Sequence, residues 1–304
     1  MKKIILILAA IASLSQLANA QQDPLYTQYV FNMLTVNPGY AGSRDALTLN
    51  VLHRNQWVGI EGAPVTNSFS IHSPLRNENL NIGFSYVNDN IGPTNQNGVY
   101  VDFAARIQLS KKSRLSFGLK SGFNHLQTSL TALNITDPGD ITFSEDVRRF
   151  MPNVGVGMYF DTERFYAGIS IPKFFENRFV DNANATDAQE RRHFFFITGA
   201  VFDLSRDIKF KPSILLKGVE AAPLSADLNL SFLFRDRIWA GGYYRFGDSF
   251  GGIIGYYITP QLMFGYSYDY TTTDLQNFNS GSHEISLTYD FDFKNQKVRS
   301  PRYF

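Results

Sequence analysis

The sequence predicts an all-β protein, a transmembrane outer-membrane β-barrel of about 14 antiparallel strands with a short N-terminal helical segment as a candidate plug. Three observations carry this prediction: an apolar leader, a period-two alternation of apolar and polar residues, and an alternation of short and long connections. Of the 304 residues, 44% are hydrophobic, 15% aromatic and 18% charged. This composition excludes a disordered chain, which would be richer in charge and poorer in aromatic residues.

The leader, residues 1–20, has the three parts of a secretory signal peptide. Lys2 and Lys3 are basic, residues 4–11 are apolar, and Ala18-Asn19-Ala20 is a small-x-small cleavage site. The chain has no cysteine, which excludes a lipoprotein anchor, disulfides and a cysteine nucleophile. Cleavage would remove two of the 28 basic residues and leave 26 against 27 acidic ones, so a nucleic-acid partner is not expected.

The predicted barrel spans residues 46–293. In Leu47-Thr48-Leu49-Asn50-Val51 and many later runs, alternate residues are apolar, as in a strand whose successive side chains point to opposite faces. Many runs have 9–12 residues, the length that a tilted strand needs to cross a bilayer. The expected strands are 46–55, 66–73, 79–87, 97–109, 114–125, 150–160, 164–171, 192–203, 208–217, 223–234, 238–245, 249–258, 261–270 and 283–293.

The connections predict which end of the barrel faces the periplasm. Short turns such as 110–113 alternate with longer links such as 88–96, 126–149 and 172–191, as short periplasmic turns alternate with external loops. Charged residues on the polar register should line the lumen: Arg54, Asp102, Arg106, Lys120, Lys209, Lys211, Asp227, Asp269, Glu284 and Asp290. Aromatic residues near strand ends should form interfacial girdles: Tyr86, Tyr100, Phe160, Phe165, Tyr244, Tyr256, Tyr268 and Tyr270.

Residues 21–45, which precede the first strand, do not alternate. Asp23 can cap a helix with Pro24 at its first position, apolar pairs follow at helical spacing, and Asn37-Pro38-Gly39 ends it. This amphipathic segment could fill the lumen as a plug, the arrangement we favour, or dock in the periplasm. Residues 294–304 form a basic tail, expected in the periplasm.

No arrangement of residues in the sequence points to catalysis or to a cofactor. The five histidines lack metal-ligand spacing, and Ser282 and His283 are neighbours whose side chains diverge in a strand. The acidic stretch Asp137–Asp140 with Glu145-Asp146 lacks EF-hand spacing and favours a solvated loop. We therefore expect a protein that is not an enzyme and that binds no metal or cofactor.

Several short motifs occur along nearly the whole mature chain. The N-terminal motifs are Gln22-Asp23-Pro24, Gln28-Tyr29 and Asn37-Pro38-Gly39-Tyr40-Ala41-Gly42. The later ones are Arg54-Asn55-Gln56-Trp57, Gly62-Ala63-Pro64-Val65-Thr66, His283-Glu284-Ile285-Ser286-Leu287 and Ser300-Pro301-Arg302-Tyr303-Phe304. In combination they resemble the motifs of the PorP/SprF family, outer-membrane proteins of the type IX secretion system of Bacteroidota. Gly39 departs from the family, which more often has Ala there.

The resemblance implies a non-enzymatic component of the type IX secretion and gliding machinery. Such a barrel would anchor or assist the export of cargo adhesins and bind the periplasmic ring lipoprotein, ring proteins and a peptidoglycan-associated protein. The implied partner-binding or plug residues are Asp23, Pro24, Asn37, Pro38, Gly39, Tyr40, Ala41, Gly42, Arg54, Gln56 and Trp57. An alternative function is a passive channel for a hydrophobic or small solute, because the Asn-Pro-small segment also resembles the hatch of long-chain fatty-acid transporters.

Overall fold

The computed structural model describes residues 27–132, 145–179, 189–220 and 222–291. Residues 1–20, Asp23, Pro24, Asp137–Asp140 and the tail 294–304 lie outside the described residues. What was inferred for them stays a prediction. None of the helical turns in the described ranges is long and apolar enough to cross a membrane.

One antiparallel sheet closes on itself into a barrel. β8 and β9 both pair with β10 and share one position, and hydrogen bonds between β10 and β11 complete a ring of 14. The predicted fold class is therefore confirmed. The strands are β1 (Leu47–Asn55), β2 (Val65–Pro74), β3 (Leu80–Ile91), β4 (Thr94–Ser110), β5 (Ser113–Thr128), β6 (Val147–Thr162), β7 (Phe165–Ile171), β8 (His193–Ala200), β9 (Phe202–Asp203), β10 (Ile208–Val219), β11 (Ser225–Phe234), β12 (Ile238–Arg245), β13 (Ser249–Tyr257), β14 (Leu262–Thr271) and β15 (Ser282–Phe291).

The predicted long link 88–96 was wrong. β3 and β4 continue through it and meet at a two-residue turn in which Gly92 has a φ of 53°. The segment is rich in asparagine, a residue that is typical of loops and therefore predicts a loop from sequence alone. In the sheet these amides bond one another: Asn88 Nδ2 donates to Asn97 Oδ1 at 3.0 Å, and Asn90 Nδ2 donates to Asn88 Oδ1 at 2.9 Å. Polar side-chain pairs therefore extend the hairpin.

The alternation of burial along the strands shows which side faces lipid. In β15, Ile285, Leu287 and Tyr289 are 37–44% exposed, whereas the polar residues between them are buried in the barrel. All ten charged residues predicted to line the lumen lie on the inward register, with Lys209 at the barrel mouth. Among the predicted girdle residues, Tyr100 was wrong: it faces the lumen and its hydroxyl donates to Asn124 Oδ1 at 2.8 Å.

The lumen also holds a hydrophobic core, which the alternation of apolar and polar residues along the strands does not predict. Inward-facing apolar side chains of β8 to β14 pack against the N-terminal segment rather than against water. The wall contributes Ile197, Leu215, Leu233, Trp239, Ile253 and Met263, and the segment contributes Val30, Phe31, Met33 and Leu34. This barrel therefore buries apolar side chains inside as well as facing lipid outside.

Leu287→Arg should test the register. Leu287 faces outward near the middle of β15, where an arginine would enter hydrocarbon, so the free energy of unfolding should fall by about 2–4 kcal/mol. Urea unfolding in lipid vesicles measures the change. Leu287→Ala is the size control and should cost clearly less, and an arginine tolerated at no cost would contradict the lipid-facing assignment.

Candidate functional site in the lumen

The described part of the N-terminal segment lies inside the barrel, so the structure adopts the plug arrangement. Instead of one helix it forms three short 3₁₀ turns, Thr27–Val30, Met33–Thr35 and Pro38–Tyr40. Nearly all its side chains are buried, since the barrel wall surrounds it. A segment enclosed on all sides has no solvent-facing surface, and an amphipathic helix is therefore not required.

A buried ion cluster holds the start of the described segment. Arg54 lies 2.6 Å from an oxygen of Asp269 and 3.0 Å from one of Glu284. The backbone N–H groups of Thr27 and Gln28 donate to the two oxygens of Glu284 at 3.0 and 2.7 Å, and the Thr27 hydroxyl donates to Asp269 at 2.9 Å. One guanidinium thus offsets two carboxylates, whose remaining acceptor sites bind the plug.

The Asn37-Pro38-Gly39 motif joins the plug to the opposite wall. Asn37 Oδ1 accepts the N–H of Gly39 at 2.8 Å and closes the last 3₁₀ turn. Its Nδ2 donates to the carbonyl of Met158 in β6 at 3.0 Å, and Ser170 Oγ in β7 donates to the carbonyl of Val36 at 2.6 Å. The Asn37 side chain therefore supplies hydrogen-bond partners both to the backbone of the motif and to the backbone of the wall.

Small inward-facing side chains allow this close approach. Ala104, Gly118, Gly157 and Ser170 are aligned across β4 to β7, and we call them the small-residue row. A Cβ on Gly118 would lie 2.2 Å from the nitrogen of Gly39 and 2.3 Å from the carbonyl carbon of Pro38. A Cβ on Gly157 would lie 2.2 Å from Asn37 Oδ1. Sequence reasoning missed this row, although glycine inside a strand can mark close approach of another backbone.

The remaining motif residues turn the segment toward the barrel end. The Tyr40 ring meets those of Tyr159 and His72 edge-on, with centroids 5.4 and 5.3 Å away. The nitrogen of Gly42 donates to His72 Nδ1 at 3.1 Å. Gly42 has a φ of +70° and a Cβ there would lie 2.1 Å from Asn81 Oδ1, which explains the glycine. Ala41 is fully buried beside them.

A second ion cluster holds the segment where it leaves the lumen at the short-turn end. Arg44 contacts Asp290 of β15 at 2.8 Å. Asp45 is shared by Arg106 at 2.8 Å and Arg114 at 2.7 Å, on β4 and β5. The plug is thus held at its start by hydrogen bonds to buried wall carboxylates and at its end by ion pairs to the wall.

The other end of the lumen is covered by the link between β7 and β8. Its Glu190 is buried and accepts hydrogen bonds from Asn124 at 2.9 Å and Asn177 at 2.8 Å, and Lys173 lies 3.5 Å away. Between this cover and the plug is a cavity of about 90 Å³. Such a volume holds only a few water molecules.

Gln56 and Trp57 lie outside the lumen, in the loop after β1. The nitrogen of Gln56 donates to the carbonyl of Pro64, and that of Trp57 donates to Ser282 Oγ at 3.1 Å. Trp57 has a φ of +50°, an uncommon conformation for a bulky residue. The candidate residues from Asn37 to Gly42 thus meet in the lumen, Arg54 anchors Thr27, and Gln56 and Trp57 shape an external loop.

The described residues hold no group of three or more histidine, aspartate or glutamate side chains that could bind a metal ion. In the loop before β6, Asp146 Oδ1 accepts the N–H of Thr131 at 3.1 Å and its hydroxyl at 2.8 Å. These two hydrogen bonds favour the charged carboxylate and lower the pKa of Asp146. Its two donors give this carboxylate a structural role in closing the loop.

Comparisons with known proteins come from sequence and from structure. A family model described as "Type IX secretion system membrane protein PorP/SprF" matches residues 18–289. No curated protein matches the chain. Similar solved structures are the CymD monoaromatic hydrocarbon channel (TM-score 0.49, 13% identity, covering 88% of this chain and 93% of that chain), the Ralstonia pickettii toluene transporter TbuX (0.49, 9%, 85% and 93%) and a Pseudomonas aeruginosa FadL homologue (0.46, 12%, 89% and 95%).

Gly118→Ala should loosen the plug. The added methyl would overlap the backbone of Pro38 and Gly39, and relieving the overlap should cost about 1–3 kcal/mol of unfolding free energy. Thermal unfolding in detergent measures the loss, and protease sensitivity of the N-terminal segment reports its release. Gly252→Ala is the matched control, because its nearest neighbour would be 3.8 Å away. Equal effects of both changes would contradict the tight contact.

Arg54→Met should destabilise the barrel by about 3–5 kcal/mol, because it leaves two buried carboxylates without their cation. Hydrogen exchange at the Thr27 and Gln28 amides should accelerate by more than in the rest of the protein. Combining Arg54→Met with Asp269→Asn and Glu284→Gln should restore much of the stability, since no uncompensated charge remains. A triple variant as unstable as the single one would contradict the electrostatic cause.

Proposed function

The chain belongs to the PorP/SprF family of type IX secretion system membrane proteins, and from this premise we propose how it acts. It is a non-enzymatic outer-membrane component of the secretion and gliding machinery that anchors or assists the export of cargo adhesins. It binds periplasmic ring components, including the ring lipoprotein, and a peptidoglycan-associated protein. A cleaved signal peptide delivers it to the outer membrane.

The filled lumen carries this proposal. The plug runs through the lumen from the ion cluster at Arg54 to the one at Asp45, the link with Glu190 covers the long-loop end beside it, and the space between them is about 90 Å³. A barrel so filled supports binding at its two rims more than conduction through its centre. A ring of 14 strands is in any case too narrow to pass a folded domain.

The short-turn rim offers a surface for periplasmic partners. Its described turns are exposed and carry seven basic side chains against four acidic ones. The basic residues are Arg76, Lys111, Lys112, Arg164, Arg206, Arg235 and Arg237, and the acidic ones are Glu78, Glu163, Asp207 and Asp236. A positively charged rim favours partners with an acidic face and speeds their encounter.

The opposite rim offers an apolar surface for cargo. The loops 56–64 and 272–281 are joined by backbone hydrogen bonds from Val58 to Gly281 and from Ser280 to Val58, at 2.9 and 2.8 Å. On this paired support, Phe278 is 71% exposed and Leu275 is 37% exposed. An exposed aromatic side chain on a braced loop is suited to anchoring a protein partner.

Gene deletion with complementation tests the proposal. Loss of cargo from the cell surface and culture medium, measured by proteomics, should be restored by the wild-type chain. It should not be restored by a variant carrying Phe278→Ser and Leu275→Ser, which spares the barrel wall. Phe246→Ser, at an exposed position of the same rim but outside the two paired loops, is the matched control and should restore secretion.

The same strains test the channel alternative. Normal secretion in the deletion strain together with slower uptake of a fatty acid or an aromatic hydrocarbon would contradict the proposed function. Photo-crosslinkers placed at Lys112 and at Phe278 should capture different partners, because these residues lie at opposite rims. Capture of secretion components at neither position would count against a role in the secretion assembly.

A further inference from the structure

The lipid-facing wall contains a large groove directly behind the plug. It has a volume of about 1230 Å³ and lies on the outer surface of β3 to β8 and β10. Outward side chains that are 39–65% exposed line it, among them Leu80, Phe103, Leu119, Phe194, Phe196 and Leu224. A barrel wall is normally convex toward lipid, so a concave stretch needs a local cause.

The cause is the small-residue row on the inner surface of the same strands. Where Gly118 and Gly157 contact Asn37, Pro38 and Gly39, the wall contributes no side chain between itself and the plug. Without large inward side chains, the sheet and the plug can approach each other closely there. Ala104, Gly118, Gly157 and Ser170 are also among the residues at the base of the groove. The plug contact and the groove therefore lie on the inner and outer faces of the same stretch of wall.

The register shows that the groove crosses the membrane diagonally. Leu80, Ala105, Phe117, Met158, Ile169, Phe196 and Leu216 are successive partners across seven strands. Six steps of about 4.8 Å give a length of roughly 29 Å. With a strand tilt of about 40°, the groove climbs roughly 18 Å of the apolar band, from the short-turn end upward.

A basic side chain lies at the upper end of the groove. Arg192 immediately precedes β8, on the same outward register as Phe194 and Phe196. Its guanidinium carbon is 4.4 Å from the centroid of the Phe174 ring, and Nε donates to the carbonyl of Phe174 at 3.0 Å. The Arg192 backbone N–H donates to Glu176 Oε1 at 3.1 Å. The guanidinium is thus held at the external interface, beside exposed aromatic surface.

We propose that the groove is a binding site for one anionic lipid of the external leaflet, with an acyl chain along the groove and a phosphate on Arg192. Hydrocarbon is the solvent of this wall, and a guanidinium at the interface is complementary to a phosphate. Because the groove exists while the wall is bent onto Pro38, a lipid in it stabilises the seated plug. By linkage, the seated plug in turn favours the lipid.

Diphosphorylated lipid A is the probe that tests the site. It is titrated against the full-length protein in detergent, and native mass spectrometry counts the bound lipids. We expect one lipid A for each barrel, retained in preference to phosphatidylethanolamine. Leu119→Trp with Val156→Trp fills the groove without touching the lumen and should weaken binding at least tenfold. Leu287→Trp with Val51→Trp makes the same change at another exposed Leu–Val cross-strand pair, on wall outside the groove, and should leave binding unchanged.

Arg192→Gln tests the contribution of the lipid phosphate separately from that of the acyl chain. It should reduce the preference for lipid A over its dephosphorylated form roughly tenfold, and it alters no residue of the described strands, so it remains informative if the tryptophan variants do not fold. Equal binding of both lipids by the wild type would overturn the proposal, as would equal loss in the groove and control variants. Tryptophan variants that keep lipid A but lose a co-purifying membrane protein would assign the groove to a protein instead.

Discussion

The contact between the Asn37-Pro38-Gly39 backbone and the glycines of β5 and β6 is the constraint on which the rest of the structure depends. It requires glycine at 118 and 157, because a Cβ at either place would overlap the plug. An apolar groove lies on the outer face of the same stretch of wall. The contact also fixes the plug between two ion clusters, one at Arg54 and one at Asp45. Packing of backbone on backbone, rather than a charge or a catalytic group, therefore organises the lumen.

A lumen filled in this way combines two kinds of interior. Around Thr27 and Asp45 it is ionic, and each buried charge meets a partner and several hydrogen bonds. Between them apolar side chains such as Met33, Leu34 and Trp239 are almost fully buried, beside the buried pair of Lys120 and Asp102 at 3.1 Å. The ionic ends give a single position to the segment, and the apolar middle supplies burial. A protein that presents two rims to partners gains from such an interior, because its rims are held in one arrangement.

Much of this architecture could be predicted from the sequence, because a period of two follows directly from strand geometry. The strands and the ten inward charges were found in this way. Tyr100 was misplaced because an aromatic residue near a strand end suits a girdle as well as a lumen. The hairpin through Asn88 and Asn97 was missed because its stability comes from amides on neighbouring strands. The plug motif was recognised, but its seat at Gly118 and Gly157 depends on which distant strands face it, and local pattern does not contain that information.

The ion cluster at Arg54 has a consequence for the order of assembly. Arg54 belongs to the first strand, whereas Asp269 and Glu284 belong to the last two, and the register places Arg54 directly opposite Glu284. The backbone of Thr27 therefore gains its acceptors only when the C-terminal strand has closed the ring, 257 residues later in the chain. In an incomplete barrel Asn37 and Asp45 still have their partners on β4 to β6, but the start of the segment has none of these acceptors. The anchoring of Thr27 therefore depends on completion of the ring, and a truncated chain would expose the start of its N-terminal segment to the proteases of the envelope.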